Sequence, residues 1–313
     1  MKFWRRLFLI LLALVGLSFL IKKGVESWTG SATRTVLVRQ SVLHLDLKGI
    51  ILNGKKFLEN LKEYREEKNV KAIIVEVNSP GGAVGPSQEL FSELRRTRDE
   101  FQKPIVCYTS GIMASGGYYA ALGCDKIVVA PGALIGSIGV IMSFANLEGL
   151  YDWAKISRYS ITSGKFKDSG AEYRPMREDE KKLFQSMIDE VYLQFKTTVK
   201  ESRPQIKGEL LEEYTDGRVF TGQKAVETGF ADAVGTYDQA VQIAADLAGL
   251  KEDQYDIFEI PKHRRSIWEW GSEEEDDTIN SLLQNGIQKS LKQLFGLELL
   301  NQPVYLMPGV WVD

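Results

Sequence analysis

Two short glycine-containing segments hold residue types that can carry out covalent chemistry. The segment 78–82 reads Asn-Ser-Pro-Gly-Gly, follows an apolar run typical of a buried strand, and precedes a helical pattern. The segment 113–119 places Ser115 before two glycines, at the start of another predicted helix. A serine at such a turn can be a nucleophile beside backbone N–H groups that stabilise an oxyanion. Taken alone, however, the serine is an ordinary helix N-cap and the Pro-Gly-Gly an ordinary turn.

A nucleophilic serine needs a base, and histidine is scarce in this chain. His44 belongs to a strand that begins the domain, and His263 lies among lysines and arginines, so neither setting indicates a catalytic triad. Lysine can replace histidine if burial or a neighbouring cation lowers its pKa. Lys165 and Lys167, in the segment 162–168, are the candidates, although in isolation both are typical surface charges.

A fourth segment, 132–140, is rich in glycine and small residues. Its glycines are typical of a tight backbone or the wall of a groove. Ser137 lies in this segment, and its hydroxyl could orient a neutral lysine by hydrogen bonding. Taken alone, the segment is better explained by packing at the edge of a strand.

Composition excludes several classes of protein. The 313 residues carry a net charge of -3, so no global basic field attracts the chain to nucleic acid. Two cysteines are too few for a disulfide framework or a zinc site of their own. Because Cys107 and Cys124 lie on strands as small apolar residues, we expect them to be buried thiols. A bridge between them, which an exported domain would allow, is the alternative.

The elements that must position these residues alternate between strand and helix. This alternation predicts an α/β fold with mostly parallel pairing and no internal repeat. Predicted strands are 31–46, 71–77, 104–108, 126–130 and a last one at 256–260, with 157–162 extended; predicted helices are 51–67, 86–100, 116–122, 146–155, 178–201 and 240–247.

The two ends of the chain differ from its middle. Residues 7–21 are uncharged and flanked by basic residues, without a clear cleavage site, which predicts an uncleaved membrane anchor and an exported body. A cleaved signal peptide is the alternative. Residues 273–277 form an acidic linker, 279–295 have helical apolar spacing, and the apolar ending is expected to enter the substrate groove.

Five motifs in order resemble the signal peptide peptidase A family in its short, single-repeat bacterial form. The resemblance spans most of residues 41–248. The motifs are NSPGG (78–82), MASGGYYAA (113–121), DKIVVAPGALIGSIGV (125–140), SGKFKD (163–168) and GRVFTGQKAVETGFAD (217–232).

This resemblance implies a Clp/crotonase-like fold and a Ser–Lys dyad. Ser115 matches the nucleophile, Lys167 the general base, and Ser137 the hydroxyl that orients the lysine. Gly82 and the N–H of Gly116 match the oxyanion hole, with Gly81 the alternative to Gly82. The family implies spent signal peptides as substrates, a ring-like homo-oligomer and no metal or cofactor. Ser115 and Lys167 then come either from one protomer or from two neighbouring protomers.

The expected organisation has four parts. They are an anchor at 1–23, a linker and first strand at 24–40, a serine peptidase domain at 41–261, and a tail at 262–313. The enzyme would sit in the bacterial inner membrane, with its catalytic domain on the extracytoplasmic side. Two rival functions are an acyl-CoA enzyme of the crotonase type and a catalytically silent scaffold that binds partners through 279–295.

Overall fold

The computed structural model describes residues 39–251, 254–261 and 303–307. The predicted anchor, His263, the acidic linker and the helix at 279–295 lie outside these residues. Within the described ranges, no helix is both long enough and apolar enough to cross a membrane.

A six-stranded parallel sheet forms the centre of the described chain. Its order is β10-β1-β2-β4-β6-β9, and each neighbouring pair is parallel. The central strands read as continuous apolar runs because both faces of the sheet are covered. The bounds are β1 Gln40–Lys48, β2 Val70–Asn78, β4 Ile105–Thr109, β6 Lys126–Val129, β9 Ala233–Val234 and β10 Tyr255–Glu259.

Two smaller sheets lie beyond the carboxyl ends of the central strands. One has the order β5-β7-β8, and the other pairs β11 with β3 in antiparallel fashion. A parallel bridge between Ser79 and Met113 joins the regions of β3 and β5. The bounds are β3 Gly81–Ala83, β5 Ile112–Ala114, β7 Leu134–Gly136, β8 Val219–Thr221 and β11 Val304–Leu306.

Helices connect and cover these strands, and local signals fix several of their ends. Thr221 caps one helix by accepting from the backbone N–H of Lys224, and Gly229 ends it in the left-handed conformation. The bounds are α1 Lys55–Tyr64, α2 Val84–Phe101, α3 Gly116–Ala121, α4 Glu148–Trp153, α5 Glu178–Ser202, α6 Gly208–Tyr214, α7 Gly222–Thr228 and α8 Tyr237–Leu247.

The apolar core lies between α8 and one face of the large sheet. Thr236 and Gln239 form a capping box that starts α8, and the alanines of this helix are buried. The buried cluster includes Val42, Ala72, Ile74, Val106, Val128, Ala240, Val241, Ala244 and Ala245. This core fixes β1, β2, β4 and β6 beneath α8.

The predicted α/β architecture is confirmed, with differences at the level of single elements. The strand at 255–259 is not the last one, because β11 follows it. The segment 157–162, predicted to be extended, is described throughout but forms no strand. The helix predicted from residue 86 begins at Val84, and α6 and α7 were not predicted.

The expectation of two buried thiols is wrong. Cys107 and Cys124 form a disulfide, with their Cα atoms 6.0 Å apart. The backbone N–H of Asp125 donates to the carbonyl of Ile105 at 2.8 Å, which starts the pairing of β6 with β4. This pairing brings Cys124, three residues after the end of α3, beside Cys107 in the middle of β4, within the distance that a disulfide spans.

Candidate active site

Ser115 lies at the sharp turn between β5 and α3. Its backbone φ of 52° and ψ of -118° are unusual for a residue other than glycine. The side chain is fully buried, and its Oγ has no hydrogen-bond partner among the described residues. The hydroxyl also makes no capping bond to the helix, so the interpretation of Ser115 as an ordinary N-cap is wrong.

Backbone hydrogen bonds on both sides hold this strained turn. The N–H of Ser115 donates to the carbonyl of Gly136 at 2.7 Å, and the N–H of Tyr119 donates to the carbonyl of Ser115 at 2.8 Å. The preceding N–H, that of Ala114, donates to the carbonyl of Ser79 at 3.1 Å. Backbone bonds to Gly136, Ser79 and Tyr119 therefore fix the position of the Ser115 hydroxyl, which itself makes no hydrogen bond among the described residues.

The glycines at 81, 82 and 116 come together next to this serine. A Cβ added to Gly81 would lie 2.7 Å from the backbone nitrogen of Gly116, and one added to Gly116 would lie 3.1 Å from the nitrogen of Gly82. A Cβ on Gly82 would collide with the backbone of Ile51. The Pro-Gly-Gly segment thus needs glycine, because its backbone packs directly against the backbone of neighbouring segments and leaves no room for a side chain.

The backbone N–H groups of Gly81 and Gly82 point in different directions. The N–H of Gly81 donates to Ser79 Oγ at 3.2 Å. The N–H of Ala83 donates to Ile51, and Ile51 in turn donates to the carbonyl of Gly81. Because successive N–H groups of a strand point to opposite sides, the N–H of Gly82 points away from Ile51, toward β11.

Ser137 lies directly after the carbonyl that accepts from Ser115. It is buried, has a φ of 52°, and its N–H donates to the carbonyl of Arg218 at 2.7 Å. The glycine-rich segment therefore lies directly beside the Ser115 turn. The structure thus brings Ser115, Ser137 and the three glycines into one region.

The two candidate lysines lie on an exposed turn, and their surroundings differ. Lys165 Nζ is 2.7 Å from an oxygen of Asp179 and also lies over the Phe166 ring. The pairing with Lys165 lowers the pKa of Asp179 to about 2. Lys167 is exposed, and it does not contact Ser115 Oγ, which is unpartnered within the described residues.

A buried ion-pair network anchors the chain that follows Lys167. Arg174 donates to both oxygens of Glu180 at 2.6 and 3.0 Å and lies 3.0 Å from Asp168. Glu180 is fully buried, and its hydrogen bond from Arg174 lowers its pKa to about 2. The network fixes the residue directly after Lys167 to the start of α5.

His44 takes part in a different cluster, on the sheet face covered by α8. Its Nδ1 lies 2.6 Å from the hydroxyl of Tyr237, and its Nε2 lies 3.1 Å from Asp46. These partners, and the unpartnered Ser115 Oγ, agree with the prediction that His44 is not the base.

The carboxyl-terminal segment lies in the site as an added strand. Val304, Tyr305 and Leu306 pair antiparallel with Ala83, Gly82 and Gly81. On its other side the segment forms a bridge to Ile141. Part of the predicted tail therefore pairs with β3, next to the Ser115 turn, although the sequence did not indicate which residue would lie at Gly82.

Chain comparisons identify the class of protein that these features define. The family model described as peptidase family S49 matches residues 97–251. A Synechocystis protein described as a protease is 37% identical over 274 residues, covering 86% of this chain and 96% of that protein.

One further comparison is of sequence and one is of structure. A protein of Enterococcus faecium described as signal peptide peptidase SppA is 34% identical over 189 residues, covering 60% of this chain and 54% of that protein. A solved structure of a membrane-bound stomatin-specific protease with a substrate peptide has 18% identity and a TM-score of 0.45, covering 81% of this chain and 100% of the other.

The molecule is thus an α/β protease with a mostly parallel sheet and flanking helices. The chain belongs to peptidase family S49, and within it to the signal peptide peptidase A group.

Proposed function

We propose that this protease is a membrane-anchored serine endopeptidase with a Clp/crotonase-like fold, in which Ser115 is the nucleophile and Lys167 the general base. The observation that carries the proposal is the buried Ser115 Oγ on a strained turn, without a structural hydrogen bond. Strain of this kind persists only where the surrounding structure holds it, and it concentrates at active sites.

The reaction has two steps. Ser115 Oγ attacks the peptide carbonyl carbon while the neutral Lys167 amine takes the hydroxyl proton and passes it to the leaving amine. The N–H groups of Gly82 and Gly116 stabilise the oxyanion of each tetrahedral intermediate. Water then attacks the acyl-enzyme, Lys167 takes a proton from it, and the serine hydroxyl is restored. Ser137 orients the lysine, and no metal or cofactor is required.

The surroundings of Lys167 support a base supplied by a neighbouring protomer. Lys167 is exposed in one chain, whereas a neutral lysine needs a dry site. Several large apolar side chains on the preceding segment are also exposed, with Ile161 at 94% and Trp153 at 80%. A ring-like homo-oligomer would cover this surface and place Lys167 beside the Ser115 of the next protomer.

The groove supports extended apolar peptides as substrates, such as the remnants of signal peptides. The segment Val304–Leu306 shows that β3 can pair with one more antiparallel strand. In such strand addition, main-chain hydrogen bonds supply affinity and side-chain pockets supply specificity.

The uncharged run at 7–21 supports a membrane anchor, with the catalytic domain on the extracytoplasmic side of the bacterial inner membrane. Mass spectrometry of the membrane-purified protein should recover a peptide that contains residues 7–21. Recovery of only a soluble chain that starts between residues 24 and 35 would contradict the anchor.

Peptide cleavage tests the proposed chemistry. An internally quenched peptide with an apolar signal-sequence core should be cleaved by the wild type, and Ser115→Ala should lower kcat by roughly 10³-fold or more. Ser92→Ala, an exposed serine on α2, is the matched control and should keep wild-type activity. Cleavage by Ser115→Ala at the wild-type rate would overturn the assignment of the nucleophile. No cleavage by the wild type would favour an acyl-CoA enzyme or a silent scaffold instead.

A further inference from the structure

We propose that Ser87 is a positioning residue for the oxyanion hole, because its buried hydroxyl sets the distance between the segments that carry the N–H groups of Gly82 and Gly116. This inference rests on the proposed function. It adds to that function a side chain that contacts neither the substrate nor the reacting atoms and acts through the two glycines.

Ser87 is hydrogen-bonded to the strand that carries the first donor. It lies in the first turn of α2 and is fully buried. Its Oγ donates to the carbonyl of Ala83 at 2.9 Å. Ala83 is the last residue of β3 and directly follows Gly82. The hydroxyl of Ser87 is therefore held in place relative to the backbone of Gly82.

The same hydroxyl packs against the residue that carries the second donor. A Cβ built on Gly116 would lie 2.4 Å from Ser87 Oγ, which is closer than a real Cβ comes to another atom. The Cα–H bond of Gly116 that takes the place of this Cβ therefore points at the Ser87 oxygen, in a contact of the Cα–H···O kind. The same built Cβ would lie 3.1 Å from the nitrogen of Gly82, so the serine oxygen and both glycines meet in one small region.

One oxygen atom thus lies between the two segments that supply the oxyanion donors. A donor stabilises the oxyanion when it lies about 2.7–3.1 Å from that oxygen. Removal of the Ser87 oxygen leaves space beside Gly116, into which the start of α3 can shift, and this shift lengthens the hydrogen bonds to the oxyanion. Pairing of the substrate with β3 does not use Ser87, so binding of the ground state should be retained while stabilisation of the transition state is lost.

Ser92 offers a matched control on the same helix. Its Oγ donates to the carbonyl of Gln88 at 2.8 Å, which is the same bond to the fourth preceding residue that Ser87 makes, but Ser92 is exposed. With the internally quenched peptide, we expect Ser87→Ala to lower kcat about tenfold and to leave KM unchanged. This loss is smaller than the roughly 10²–10³-fold of a donor removed outright. Ser92→Ala should match the wild type.

A pair of inhibitors separates positioning from packing. In a peptide aldehyde, Ser115 Oγ bonds to the carbonyl carbon, the serine proton passes to the Lys167 amine, and the former carbonyl oxygen enters the oxyanion hole. The peptide alcohol of the same sequence forms no such bond. Ser87→Ala should raise the Ki of the aldehyde about tenfold and leave the Ki of the alcohol unchanged. The tail strand competes equally with both inhibitors, so the ratio of the two Ki values does not depend on it.

An equal change in both Ki values, or a higher KM with an unchanged kcat, would show that Ser87 only packs and would overturn the inference. Failure of Ser87→Ala to fold would likewise assign it a structural role.

A double substitution tests the contact itself through stability rather than activity. Gly116→Ala introduces a Cβ 2.4 Å from Ser87 Oγ and should lower the midpoint of thermal unfolding. Because Ser87→Ala removes that oxygen, adding it to Gly116→Ala should raise the midpoint again. A double variant that is no more stable than Gly116→Ala would overturn the contact.

The outcomes distinguish this inference from the proposed function. Cleavage that requires Ser115, with the same kcat in Ser87→Ala and Ser92→Ala, overturns the positioning role alone. If the wild type does not cleave the peptide, or if Ser115→Ala cleaves it equally well, the proposed function itself is wrong.

Discussion

The backbone conformation of Ser115 leaves its hydroxyl without a structural hydrogen bond among the described residues. A serine at the start of a helix usually bonds to the helix N–H groups. Here the left-handed φ turns the side chain away, while Gly136 accepts the N–H of Ser115 at 2.7 Å. The energetic cost of such a conformation, on the order of 1–3 kcal/mol, must be offset by the packing around it.

The assignment of the base makes a prediction about two lysines that are two residues apart. Lys167→Ala should lower kcat by roughly 10²-fold or more, the scale of a lost general base. Lys167→Arg should not restore activity, because a guanidinium does not give up its proton. Lys165→Ala should keep most activity, because Lys165 already pairs with Asp179 at 2.7 Å.

Steady-state kinetics at several pH values measure these effects. Equal losses in Lys165→Ala and Lys167→Ala, or a loss only at Lys165, would show that the base is misassigned.

At the residue scale, the order of the motifs along the chain indicated the candidate site, whereas the residue types alone did not. Ser115, Gly82 and Gly116 looked structural in isolation, and only their order along the chain indicated a site. The strained φ of Ser115 could not be predicted, because it depends on Gly136 and Ser79 from distant parts of the sequence. The disulfide was missed because the sequence does not reveal that β6 begins beside the middle of β4.

At the element scale, the position of β11 predicts that the protein cleaves its own carboxyl-terminal segment. Val304–Leu306 lies on β3 with the Tyr305 carbonyl near Gly116, which is the arrangement of a substrate. Prolonged incubation of the wild type should therefore remove the residues after Tyr305, and Ser115→Ala should keep them. Intact-mass measurements decide this point, and tail loss in neither protein would exclude self-processing.

The ion pairs of Arg174 with Asp168 and Glu180 predict a contribution to the free energy of unfolding that depends on pH. Arg174 lowers the pKa of Glu180 to about 2, below its ordinary value of 4.5. A lowered carboxyl pKa stabilises the fold above the ordinary value, and this stabilisation is lost as pH falls from 4.5 toward 2. Glu180→Gln should therefore be less stable than wild type at pH 7, and the difference should shrink on acidification.

Urea unfolding at pH 7, 4 and 3 would measure this difference in the free energy of unfolding. Glu190→Gln, an exposed residue of the same helix, serves as the control and should match wild type throughout. A difference that stays constant with pH would contradict the role of the Glu180 carboxylate.

Element length explains which strands could be predicted. β2 and β4 are long, apolar and buried, so their pattern is clear in the sequence. β3, β5 and β7 have three residues each, which is too short for any periodicity. β11 was seen only as an apolar ending, because its pairing with β3 joins residues more than 200 positions apart.

At the scale of the whole molecule, the exposed apolar side chains from α4 to Lys167 indicate a surface that another chain buries. Leu150, Ile156 and Tyr159 are 54%, 55% and 78% exposed, in addition to the residues noted above. Surfaces of this kind usually mark an interface. The proposed oligomer covers them with a second copy of the chain and thereby completes the dyad.

Subunit mixing tests this shared dyad. Ser115→Ala and Lys167→Ala should each be inactive alone. When unfolded together and refolded as a mixture, they should recover about a quarter of wild-type activity, because an intact serine then meets an intact lysine in that share of random neighbours. No recovery in a mixture that forms mixed oligomers would place both residues in one protomer.

The central claim is that Ser115 is the nucleophile, and covalent labelling tests it most directly. A serine-directed phosphonate probe, applied to enzyme that is cleaving peptide, should form one adduct, which peptide mapping places on Ser115. Labelling should stop activity in proportion to occupancy and be absent in Ser115→Ala. An active enzyme whose adduct lies on another serine, or which stays unlabelled at Ser115, would contradict the account.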